Sequence, residues 1–171
     1  MSPLSFGDHV SGKLVPLRYG ERHTPEGTRM DTAAIIRPEM QARLLSVMRI
    51  MVGLLYLQSG TGKFLNVPVV PNFATLTPSS MAWWGGVVEI ICGPLIVLGL
   101  FTRPAAFIAA GEVAVAYFWA HAPRGFFPLL NGGTPVVAFC FVFLYLAVAG
   151  GGAWSLDRLL TERGWRYWWL R

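Results

Sequence analysis

The chain has 171 residues, 54% of them apolar and only 13% charged, with a mean hydropathy of +0.49 and a net charge of +5. That balance excludes an ordinary water-soluble domain of this size and marks a small, single-domain membrane protein. The positive charge does not point to nucleic acid, because the basic residues gather at the two ends of the chain, and membrane lipids with anionic headgroups are the expected partner.

Residues 1–43 are polar, contain Pro3, Pro16, Pro25 and Pro38, and carry six of the fourteen basic residues. They lack the apolar core of a cleavable signal, so a tail without a fold of its own is expected. Met30 followed by Asp31-Thr32 offers a second translation start, which would make residues 1–29 an extension. A first membrane span is expected over 42–60, with Arg49 turning toward the interface or a partner. Pro68, Pro71 and Pro78 then forbid a continuous helix over 61–81, which reads as a surface or re-entrant loop with Ser79 or Ser80 capping the next helix.

The second span, 82–101, begins with Trp83 and Trp84 at an interface. It carries Gly85, Gly86, Gly93 and Gly99 for close helix contact, and Pro94 as an expected kink. A third span covers 105–121, a loop whose Phe126-Phe127-Pro128 dips toward the membrane follows, and a fourth span covers 134–149. Residues 150–171 read as an interfacial helix capped by Ser155, with Leu156, Leu159, Leu160, Tyr167 and Leu170 on one face and Gly164 weakening it. The expected fold class is all-α: a polytopic four-helix membrane bundle (44–149) with a polar tail (1–43) before it and an interfacial amphipathic helix (150–171) after it. Lys and Arg are rich in both tails, Arg103 sits in the turn between spans two and three, and the other two loops hold one cation each, Lys63 and Arg124. Both termini are therefore expected in the cytoplasm.

Glu89 and Glu112 fall near the middle of the second and third spans. A charge at that depth costs roughly 2.5 to 17 kcal/mol, so such residues persist where they work or are paired. Adjacent acids at one depth would hold a proton between them, suited to quinone protonation, a proton path or a polar ligand pocket; the alternative is a hydrogen-bonded pair that only glues the bundle. Lys63 and His121 fall together at the outer ends of the first and third spans. His121 suits proton relay or contact with a quinone carbonyl, and for Lys63 snorkelling is an equal explanation. Cys92 and Cys140 form neither a CxxC motif nor a metal-ligand spacing and read as packing residues, so no metal site is expected. Gly60-Thr61-Gly62-Lys63-Phe64 is not a phosphate loop, since Leu57 and Phe64 stand where Gly and Ser or Thr are needed.

Several motifs occur in order: Ser59-Gly60-Thr61-Gly62-Lys63, then Glu89 and Gly93, then Leu98-Gly99-Leu100-Phe101-Thr102-Arg103-Pro104. Ala120-His121-Ala122-Pro123, Leu130-Asn131-Gly132-Gly133 and Gly152-Ala153-Trp154-Ser155-Leu156-Asp157 follow. Over residues 31–158 this resembles the DoxX family of small four-helix bacterial membrane proteins. The resemblance implies an inner-membrane location and a link to thiosulfate:quinone oxidation, or to a membrane redox complex with superoxide dismutase and a sulfurtransferase. It marks Lys63, Glu89, Arg103, Glu112, His121 and Asp157 as the family's polar positions. Family members often carry His where Ser59 stands, a departure that bears on histidine-dependent chemistry there.

The expectation is thus an inner-membrane protein supporting a quinone-linked or other redox system. Glu89, Glu112, His121 and Lys63 form its active group, Arg103 and Asp157 are structural, quinone is the one cofactor suggested, and membrane or peripheral redox proteins are partners. The alternative is a non-enzymatic accessory subunit of a respiratory or photosynthetic complex, docked through its two tails.

Overall fold

The computed structural model describes residues 37–73 and 76–164, and every regular element among them is helical. The expectations for the N-terminal tail up to residue 36, and for Tyr167, Leu170 and their neighbours, lie outside the described residues. Six α-helices follow in order: α1 Pro38–Phe64, α2 Met81–Leu98, α3 Thr102–Ala116, α4 Pro128–Asn131, α5 Thr134–Ala149 and α6 Leu156–Glu162. A wide π-helical turn, Tyr117–His121, and a short 3-10 turn, Ala122–Arg124, prolong α3. Helix α1, helix α2 and the prolonged α3 are each long and apolar enough to cross a membrane, whereas α5 is a shorter apolar helix of 16 residues. At ~1.5 Å per residue α5 spans about 24 Å, a few ångströms less than a typical hydrocarbon core of about 30 Å.

Two sequence expectations need correction, and the structure decides between the alternatives of a third. The first helix does not stop at Gly60 but continues through Gly-Thr-Gly-Lys to Phe64. Its last turn packs on α2, and this tertiary contact outweighs the weak helix propensity of glycine. Of the two outcomes expected for Arg49, the interface or a partner, the second holds: the side chain is fully buried and its partners are backbone carbonyls. Helix α6 ends at Glu162, and Gly164 follows at φ +85°, so the interfacial helix is only seven residues long among the described residues. Ser80 and Ser155 cap α2 and α6 as expected, accepting the backbone N–H of Trp83 and Arg158.

Helices α1 and α2 meet along a glycine seam. Gly53 and Gly60 lie seven residues apart on α1, Gly86 and Gly93 seven apart on α2, so each pair shares one helix face. A Cβ at Gly60 would fall 2.9 Å from the Glu89 Cβ, and one at Gly86 would fall 2.8 Å from the Phe64 ring. Small residues let backbones approach in this way where no hydrophobic effect drives helices together. The remaining core joins α3 to α5: Ala105, Ala106, Ala109 and Ala110 form the small-residue face of α3, while α5 contributes Phe143 and Leu146. Tyr56 closes the ring of four helices edge-on to Phe143, with centroids 4.9 Å apart. Cys92 is buried in this core, and the Cys140 thiol points at the Ala110 carbonyl 3.6 Å away.

Arg49 organises the end of the bundle where α1 begins. It donates to the carbonyls of Ile96 and Val97 at the end of α2 and to those of Gly151 and Trp154 in the segment after α5. Helix ends leave such carbonyls without intrahelical partners and carry partial negative charge, which is what a buried guanidinium needs. Gly99, at φ +70°, ends α2 in the left-handed conformation. Asp157 then accepts the Phe101 and Thr102 N–H groups at 2.8 Å each, capping α3 from the far end of the chain.

Candidate functional site

The site begins on one face of α1, where Tyr56, Ser59 and Lys63 follow at intervals of three and four residues and so point the same way. Because the glycine seam brings α1 against α2, the Ser59 hydroxyl donates to Glu89 Oε1 at 2.9 Å and Lys63 Nζ lies 2.8 Å from Glu89 Oε2. Both charged side chains are below one-tenth exposed. The buried carboxylate is therefore matched by a cation and a hydroxyl, as a charge removed from water requires.

Glu112 reaches the same region from α3. It lies ten residues after the start of α3, and Glu89 lies nine before the end of α2, so the short turn joining these helices puts both acids at one depth. The Tyr56 hydroxyl donates to Glu112 Oε2 at 2.9 Å. The other oxygen fills space that Gly85 leaves open, since a Cβ there would fall 2.7 Å from Glu112 Oε1. The two acids thus share a depth, but α1 supplies the hydrogen-bond partner of each.

A cavity of about 660 Å³ opens beside these groups, bounded by α1, α2, α3 and the start of α5. Tyr56, Ser59, Lys63, Glu89, Glu112 and His121 supply its polar groups, and the rest of its wall is largely apolar. Phe73, from the loop after α1, also lines it and lies 5.7 Å below the Lys63 ammonium, a cation–π contact. His121 stands at the π-helical end of α3, stacked on Tyr117 with Nδ1 3.0 Å from the Asn131 carbonyl oxygen. Asn131 fixes this rim in turn, donating to the Gly125 carbonyl and accepting the Gly133 N–H, both at 2.8 Å.

All four residues expected to form the active group thus line one cavity, whereas Arg103 and Asp157 sit at the opposite end of the bundle. Arg103 donates to the Val148 carbonyl at 2.7 Å, tying the start of α3 to the end of α5. The sequence reading missed Tyr56, and noted Ser59 as a motif position without placing it against Glu89, although their spacing from Lys63 on one helix was the available signal. It also missed Arg49 as the centre of the far end.

The DoxX family profile matches residues 44–122. An uncharacterized protein of Haemophilus influenzae is 42% identical, the match covering 70% of this chain and 92% of that protein. An uncharacterized membrane protein of Mycobacterium tuberculosis is 30% identical over 67% of this chain and 80% of its own length, and the inner membrane protein YphA of Escherichia coli is 32% identical over 67% and 89%. No solved structure matches. With its apolar helices and relatives matched over most of their own length, the chain is a multi-pass membrane protein and belongs to the DoxX family.

Proposed function

We propose that the protein serves a quinone-linked redox system in a bacterial inner membrane and that its cavity receives the quinone ring. One observation carries this reading: Lys63, Glu89, Glu112 and His121 converge on a single cavity of about 660 Å³ inside a membrane bundle. That volume is typical of small-molecule sites, and convergent polar groups in an otherwise apolar wall are how such sites fix orientation. Polar groups held within a membrane domain mark function more often than packing.

The residues fit a quinone. The apolar wall suits a flat ring, Lys63 and His121 carry N–H donors for its two carbonyl oxygens, and Glu112 with Tyr56 provides a carboxyl and a phenol in hydrogen-bond contact for proton exchange. Glu89 holds the Lys63 ammonium in place. Bound quinone supplies two-electron, two-proton chemistry, with the electrons drawn from a partner redox protein.

The test is quinone binding to the purified protein in lipid nanodiscs, followed by quenching of its tryptophans, of which Trp84 and Trp119 line the cavity. Saturable quenching is expected, weakened about tenfold by Glu112→Gln, the scale of one lost charge-assisted hydrogen bond, with the melting temperature unchanged. Absence of saturable binding would overturn the reading, and recovery from native membranes inside a larger redox complex without a bound small molecule would favour the accessory-subunit alternative.

A further inference from the structure

The cavity wall does not end at the polar groups. On α2, Met81, Trp84, Gly85 and Val88 form one stripe, and on α3 and the π-helical turn that prolongs it, Ile108, Gly111, Val115 and Trp119 form another, all lining the same cavity. Most of this rim faces outward: Trp84 is 57% exposed, Trp119 68%, and Ile108 and Val115 are about half exposed. Gly111 sits between Ile108 and Val115, and a Cβ added there would meet nothing within 4 Å. The α3 stripe runs eleven residues, about 17 Å at ~1.5 Å per residue. Its inner edge is the Gly85–Glu112 contact, so the apolar groove is continuous with the polar cavity.

We infer that the groove between α2 and α3 is a lateral portal holding the isoprenoid tail of a membrane quinone, so that the ligand enters sideways from the bilayer and not past the His121 end of the cavity. The inference rests on the quinone reading above. In a membrane span, outward exposure is exposure to lipid, and an apolar groove about 17 Å long has the length of a few isoprene units. A gap beside Gly111 leaves the groove open toward the bilayer, where a bulkier residue would narrow it. A tail in the groove places the attached ring beside Glu112, where the apolar wall gives way to the carboxylate.

The experiment compares two quinones on the protein in nanodiscs, one with a long isoprenoid tail and one tailless, with affinities expressed per lipid to remove partitioning. In the unaltered protein the long-tailed form should bind several-fold more tightly per lipid, from van der Waals packing of its tail in the groove, since no transfer out of water is involved. Gly111→Phe should abolish that advantage while leaving the tailless form within roughly twofold of its original affinity. Gly111→Ala, which adds one methyl into open space, should change neither and shows that the position tolerates a side chain. Equal binding of both quinones, or an unaltered tail advantage in Gly111→Phe, would overturn the portal and leave the quinone reading standing. If neither quinone binds the unaltered protein, the quinone reading fails and the portal falls with it.

Discussion

Lys63 and Glu89 are a buried pair whose members are not equivalent. Lys63 occupies the last turn of α1, so its long stem can swing its charge toward the interface if its partner is lost, whereas Glu89 lies nine residues inside α2 with no such route. Lys63→Met therefore strands a buried carboxylate and should destabilise the protein by about 3–5 kcal/mol, the range for breaking a buried ion pair from one side. Glu89→Gln should cost clearly less, and Lys63→Met combined with Glu89→Gln should recover most of the loss, because no charge then remains unpaired. Unfolding of the purified protein in mild detergent measures all three; a Lys63→Met protein as stable as the parent would show that the pair contributes nothing net. Arg49 follows the same physics with different partners, since four backbone carbonyls take the place of a carboxylate.

At the scale of elements, the α1–α2 seam sets the site, because Ser59 and Lys63 reach Glu89 only if the two backbones close on each other. Gly60→Val should push them apart: its Cβ begins 2.9 Å from the Glu89 Cβ and 3.1 Å from the Ile90 side chain, with no flexible tip to yield. A loss of about 1–3 kcal/mol is expected from overpacking, read as a lower melting temperature, and a Gly60→Val protein with unchanged stability would mean that the seam opens without cost. Hydropathy made the helices legible in the sequence because long apolar runs leave few other folds in a membrane. The fourth apolar helix, α5, came out at the expected residues for that reason. The end of α1 did not, because Gly-Thr-Gly-Lys carries no apolar signal and is held helical by packing on α2. The site divided in the same way: the cost of burying charge singled out Glu89 and Glu112, but Lys63 stands 26 positions before Glu89, and only the glycine seam turns that separation into a 2.8 Å contact.

The whole molecule is polarised along the membrane normal. At the end where α1 and α3 begin and α5 finishes stand Arg37, Arg43, Arg103, Arg158 and Arg163, whereas the other end, among the described residues, has Lys63 and Arg124. Lys63 is buried against Glu89, and Arg124 is exposed at that end among the described residues. Positively charged loops stay in the cytoplasm, so the Arg49–Asp157 end should lie inside the cell and the His121 rim outside. A fluorescent protein that matures only in the cytoplasm should shine when fused after Arg171. Alkaline phosphatase, active only beyond the inner membrane, should work when inserted at Gly125, an exposed position whose added Cβ would meet no neighbour. The reverse pair of signals would invert the bundle and turn the His121 end of the cavity toward the cytoplasm, where it would meet a different set of redox partners.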